Sequence, residues 1–426
     1  MTKWLTSLLM FASLTATATA TATATNERTK IDIMVPPAGD YISFFNEIAI
    51  PEFNHRYPNV EVVVSNDMNI DTRIAAGDTP NLYAGVFGYQ PAKLAKLGLL
   101  VSYQSFDDFK QLESKIAPNF LVKNFGRNFY VPWNATTQLM IYNKELFVEA
   151  GLDPDSPPTT WDEYIEASQA ISQLPRRKDG TPVYGSVMWN EQLSAGNWYW
   201  GMLAQLYYNF NSGDYGLLNK YGTSIEFDKQ GANFELFLTM MKDVQANSPV
   251  TMEKNFFSRS IGMWPQYGFG WKNLLDSAAG RPMVVGDDVA LAPIPTFKEG
   301  EPSYSTLDGR ALMIFKGTRM QEDYSWKMVQ MLMEDDMNHK ANMYLGQLPV
   351  LTTLVDKPYY QSPGVKPFVE QLNTTKISEP FLQAGDVAGV ILDTYTKVVL
   401  NNQMTPEQGL ESAVRNANQV LGKGKN

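Results

Sequence analysis

Short apolar runs alternate along the chain with segments whose apolar residues recur every three or four positions. Ile31 to Val35 predicts a strand, Pro36 to Gly39 a turn, and Tyr41 to Tyr57 a helix with Phe44, Phe45, Ile48 and Phe53 on one face. Pro51 interrupts that helix and predicts a kink or a break. Val60 to Val64 predicts a second strand, Thr72 to Ala76 a helix closed at Gly77, Leu82 to Phe87 a third strand, and Pro91 to Leu97 a helix ended by Gly98. Strands alternating with helices predict an α/β sheet whose binding groups gather at the carboxyl ends of the strands.

The pattern continues beyond residue 135. Gln138 to Tyr142 predicts a strand, Lys144 to Ala150 a helix closed at Gly151, and Asp153 to Thr159 a proline-rich connector. Thr160-Trp161-Asp162-Glu163 has capping-box spacing and opens a helix reaching about Leu174. Tyr184 to Met188 and Ser260 to Met263 predict strands, the latter running into a turn at 264–268. Ala311 to Phe315 predicts another strand. Phe234 to Val244 is an apolar helix, and Thr405-Pro406-Glu407-Gln408 opens a last helix to about Leu421.

The first 25 residues change the picture most. Lys3 supplies a positive start, Trp4 to Leu14 a short apolar block, and Thr15 to Thr25 a run of small residues with cleavage expected after Ala24 or Ala22. This is the order of an export signal, residues 1–24, and the apolar block is too short to span a bilayer. The chain has no cysteine, which removes disulfides, thiolate metal sites and a lipidation cysteine, so an unanchored periplasmic protein is expected. A net charge of −10 argues against nucleic acid or anionic lipid as partners. About 400 remaining residues exceed one ordinary core and predict two lobes. Nine Trp, 21 Tyr and 22 Phe are more aromatic surface than packing alone requires.

Four motifs in order carry a resemblance. Phe53-Asn54-His55-Arg56-Tyr57-Pro58-Asn59-Val60, Ala75-Ala76-Gly77-Asp78-Thr79-Pro80, Leu139 to Phe147 with Ala150-Gly151-Leu152-Asp153, and Pro158 to Glu163 fall at the right separations. Together they resemble the sugar-binding solute-binding proteins of ABC importers, the family that includes maltose-binding protein. Asn81 stands where that family usually has Asp, and Asp308-Gly309-Arg310 where it usually has Gly-Gly. The resemblance implies a two-lobed, type II-like periplasmic-binding-protein fold with hinge crossings near 132–137, 295–305 and 347–352. Lobe 1 would hold residues 26–135 plus 304–348, and lobe 2 residues 136–303 plus 349–426. It implies a monomer that captures a carbohydrate and delivers it to permease subunits in the inner membrane.

A sugar needs rings to stack on its CH face and amide, carboxylate or guanidinium groups for its hydroxyls. Asp40 and Tyr41 follow the first strand and Tyr89 the third. Trp133 and Asn134 fall at a hinge, where packing is the alternative role. Trp189 and Asn190 follow the strand at 184–188, Trp198 opens a helix, and Trp264 and Tyr267 follow the strand at 260–263, with Trp264 the leading stacking candidate. Asp308 and Arg310 bracket Gly309 before the strand at 311–315, with a surface ion pair as the alternative. His55 and His339 are expected on helix surfaces, and Glu334-Asp335-Asp336 at a solvated helix end. No catalytic residue, metal or cofactor is expected. An exported carbohydrate-active enzyme using Asp287 and Asp288, or a binder of charged or phosphorylated solutes, are the alternatives.

Overall fold

Among the described residues, eleven strands fall into two main sheets and one small one. In chain order they are β1 (Thr29–Met34), β2 (Val60–Ser65), β3 (Leu82–Gly85), β4 (Val131–Thr136), β5 (Gln138–Asn143), β6 (Tyr184–Ser186), β7 (Ile261–Gly268), β8 (Val289–Ala292), β9 (Ser305–Thr306), β10 (Asp308–Ile314) and β11 (Thr375–Lys376). The first sheet runs β2-β1-β3-β10-β4, the second β6-β7-β5-β8, and β9 pairs in parallel with β11. The computed structural model describes residues 28–37, 40–66, 69–188, 203–211, 213, 216–229, 232–249 and 255–422. The export segment therefore lies outside the described residues, as do Trp189, Asn190 and Trp198.

The sequence-derived elements recur with small shifts at their ends. Pro51 sits inside a continuous helical run, because residues 45–49 form a π-turn in which the Ile50 N–H reaches back to the Phe45 carbonyl. The wider turn absorbs the strain that proline would otherwise place on the preceding carbonyls. The capping boxes are closed as expected. Thr160 Oγ1 accepts from the Glu163 N–H at 3.3 Å while the Glu163 carboxylate accepts from the Thr160 N–H at 3.1 Å, and Thr405 and Gln408 do the same at 3.2 and 3.0 Å. A third box, Thr318 with Gln321, opens the helix Arg319–Leu332.

Two expectations need correction. The strand expected at 184–188 ends at Ser186. The strand expected at 260–263 instead runs to Gly268, so Trp264 to Gly268 is extended chain and not a turn. Pro265 and Gln266 lie opposite the single residue Met140, where the register between β5 and β7 shifts. At such a bulge the missing proline N–H costs no ladder bond.

The sheets meet through very short crossings. Only Thr137 separates β4, in the first sheet, from β5, in the second, and only Leu307 separates β9 from β10. One core packs Ile31, Ile33, Leu82, Leu312 and Ile314 against Phe44, Phe53 and Trp326. Another packs Met140, Tyr142 and Met263 against Trp161, Tyr164, Phe237, Ile391 and Tyr395. No helix among the described residues is long and apolar enough to cross a membrane.

Candidate functional site

The parallel strands β1 and β3 both end toward the same edge of the first sheet, and β10 runs antiparallel to β3, so its first residues lie at that edge. Tyr41, Asn134, Asp308 and Arg310 are brought together there. Tyr41 begins the helix after β1 and is buried, and Arg310 lies against its ring, 5.7 Å from the centroid. The guanidinium donates from Nη1 to the Gly309 carbonyl at 2.8 Å and stands 3.5 Å from the Asp308 carboxylate. Its Nε is buried with no hydrogen-bond partner among the described residues. Asn134, fully buried on β4, accepts the Arg310 backbone N–H on its Oδ1 at 3.1 Å. Burial pushes the Tyr41 hydroxyl pKa up, opposed chiefly by the charge of Arg310.

Local backbone makes this arrangement possible. Gly309 has φ +151°, and a Cβ there would collide with the Asn134 carbonyl and come within 2.8 Å of Ala135 Cα. The register between β10 and β4 shifts at the next step, leaving Trp133 as the extra residue on β4. Trp133 is fully buried, its ring 5.8 Å from both Tyr41 and Phe45 and 5.9 Å from Phe44. It backs the Tyr41 ring from the core side. Asp40 is exposed, and its carbonyl accepts the Phe44 N–H at 2.8 Å.

The chain after β11 meets this edge. Asp308, Phe87 and Tyr89 line a cavity of about 10 Å³ together with Thr306 and Ser378, so the two sides touch with room for about one water. Ser378 Oγ donates to the Phe87 carbonyl at 3.5 Å, and Tyr89 is half-buried against the second core. Gly88 has φ +76°, and a Cβ there would overlap Ser378. Gly88→Ala is therefore expected to push the returning chain away from β3 and enlarge the radius of gyration of the sugar-free protein, measured by small-angle scattering.

Polar groups lock the crossing itself. Ser305 Oγ accepts the Gln138 N–H and donates to Gln138 Oε1, both at 2.9 Å, while Asn209 clamps the Tyr304 backbone by donating to its carbonyl at 2.7 Å and accepting its N–H at 2.8 Å. Neither Asn209 nor Ser305 stood out in the sequence, since single buried amides and hydroxyls leave no spacing signal.

Trp264 and Tyr267 are not brought to the Arg310 group. Trp264 is 2% exposed, stacked on Trp271 at 4.7 Å and flanked by Phe256, Phe257 and Tyr267. Tyr267 borders a separate 330 Å³ cavity with Asp276, Met283, Tyr359 and Phe368, and burial pushes its hydroxyl pKa up. Asp288 is held by Arg281 and by the Val284 N–H, each at 2.8 Å, and Arg281 first among these brings its pKa down to about 2. A carboxylate so held does not serve as a general acid near neutrality. His55 is exposed, whereas His339 is partly buried beside the Tyr360 hydroxyl at 3.1 Å. Glu334 pairs with Arg56 at the surface. No grouping of metal ligands occurs among the described residues.

Residues 38–338 match the family model for bacterial extracellular solute-binding proteins. The chain belongs to that family. Among curated relatives of the family, it is 23% identical over 401 residues to the sn-glycerol-3-phosphate-binding periplasmic protein UgpB of Escherichia coli, covering 87% of each chain. Among solved structures, the cyclic alpha-maltosyl-1,6-maltose binding protein of Arthrobacter globiformis superposes with a TM-score of 0.74 at 21% identity, over 93% of this chain and 100% of that one. A tagatose-bound solute-binding protein of Thermotoga lettingae gives 0.72 at 22% identity, over 92% and 100%. The fold is the two-lobed one of these solute-binding proteins.

Proposed function

We propose that this solute-binding protein is exported to the periplasm, closes its two lobes on a neutral or weakly charged carbohydrate, and hands it unaltered to the permease subunits of an ABC importer. The observation that carries the reading is the edge formed by Tyr41, Asn134, Asp308 and Arg310, a ring with acceptors and donors beside it, next to the one-residue crossings at Thr137 and Leu307. Residues 26–135 with 304–348 would move as one lobe and 136–303 with 349–426 as the other, in keeping with the membership of β1 to β4 and β10 in one sheet and β5 to β8 in the other. Cleavage at residue 24 and a monomeric, unanchored mature chain complete the reading.

Relatives named for maltose, tagatose and cyclic maltosyl-maltose favour a sugar, and those named for sn-glycerol-3-phosphate favour an anion. Asp308 beside Arg310 weighs against a doubly charged phosphate, because the site then holds one cation already shared with a carboxylate. A panel of mono- and oligosaccharides with sn-glycerol-3-phosphate as comparator is the test. A bound sugar should raise the melting temperature and reduce the radius of gyration, with no new product by chromatography. Turnover, or a scattering curve unchanged at saturation, contradicts the reading.

A further inference from the structure

Arg310 carries more binding capacity than its surroundings use. Its side chain is 18% exposed, and a guanidinium offers five N–H donors in a planar fork. The contacts within hydrogen-bonding reach are its own neighbour's carbonyl, the Tyr41 hydroxyl and, at the long distance of 3.5 Å, one carboxylate; the buried Nε has no partner among the described residues. Asp308 in turn is engaged by the Gly309 N–H at 2.7 Å. A charge this enclosed and this lightly compensated is better satisfied by a second, bidentate carboxylate than by hydroxyls, because charge-assisted forked bonds are roughly twice as strong as neutral ones.

We propose that the carbohydrate carries a single carboxylate, as a hexuronic acid residue does, and that Arg310 is the specificity-determining residue that grips it. The proposal rests on the sugar reading above. Asp308, on the interlobe side of Arg310, would accept from the hydroxyl next to that carboxylate, and Tyr41 would hold the guanidinium plane from below. Phosphate fits less well. A dianion would face Asp308 with one cation to balance it, whereas a carboxylate adds one charge to a group that can take it.

The test is titration calorimetry on the full mature chain with D-glucuronate, D-galacturonate and a uronate-containing disaccharide, each against its neutral parent, with acetate and sn-glycerol-3-phosphate as controls. A uronate should bind at least about tenfold more tightly than its parent, and Arg310→Gln should cost the uronate at least about tenfold more affinity than it costs the neutral parent. Arg310→Lys should keep part of it, since it retains charge and loses the fork. Melting curves establish that the variants fold. Neutral parents binding as tightly as the uronates, or a preference that survives Arg310→Gln, overturns the carboxylate inference and leaves the sugar reading standing. Tighter binding of acetate or glycerol phosphate than of any uronate also overturns it. Failure of every saccharide to bind overturns both.

Discussion

Gly309→Ala is expected to destabilise the protein by about 3 kcal/mol or more and to weaken sugar binding by at least about tenfold in whatever fraction still folds. Two costs coincide at this residue. The backbone at φ +151° is one that side-chain-bearing residues rarely adopt, and the added methyl would be driven into the Asn134 carbonyl and within 2.8 Å of Ala135 Cα and Phe87 Cε2. The first two of these are main-chain atoms of β4, which cannot rotate away as a flexible side chain could. Gly77 provides the control, since it also has positive φ, +71°, but nothing lies within 4 Å of its Cβ position. Gly77→Ala should cost only about 1 kcal/mol, the price of the backbone alone. Denaturant melts of the two variants separate strain from collision, and calorimetry on Gly309→Ala reads the effect on the adjoining Arg310. Equal melting midpoints for the two would show that β10 and β4 part more easily than their register implies.

The same edge shows what the sequence makes legible. Strand and helix identities follow from periodicity, so β1, β2, β3, β5 and the helices at 161–172, 234–246 and 406–420 were readable to within a few residues. The capping boxes were readable because their chemistry is local, four residues long. Asp308 and Arg310 were readable as a pair because they flank a glycine at a strand start. Tyr41 and Asn134, singled out one at a time, gained meaning only when β4 and β10 paired, since their partners lie 269 and 176 residues away in the chain (310 − 41 and 310 − 134). Trp264 illustrates the opposite case. A Trp-Pro sequence before two glycines reads as a turn, but tertiary pairing of β7 with β5 extends the strand through it and absorbs Pro265 in a bulge.

That placement sets the second large effect. Trp264→Ala should cost about 3–5 kcal/mol of stability, the range for emptying a buried aromatic site. The ring is 2% exposed, stacked on Trp271 with planes 19° apart, and wedged edge-on against Tyr267 and Phe257. Removing it unseats four aromatic neighbours at once, and β7 sits in the interior of its sheet between β6 and β5. Trp264→Phe keeps most of the volume and should cost less than half as much. If packing is its role, sugar affinity measured well below the melting transition should stay within about threefold of wild type for Trp264→Phe, and any loss in Trp264→Ala should track the unfolded fraction. If a stacked sugar ring is its role, both variants lose at least about tenfold in affinity, the phenylalanine with little change in melting temperature. Paired denaturant melts and calorimetric titrations on the two variants distinguish these outcomes, and the enclosure of the indole by Phe256, Phe257, Tyr267 and Trp271 makes the first the expected one.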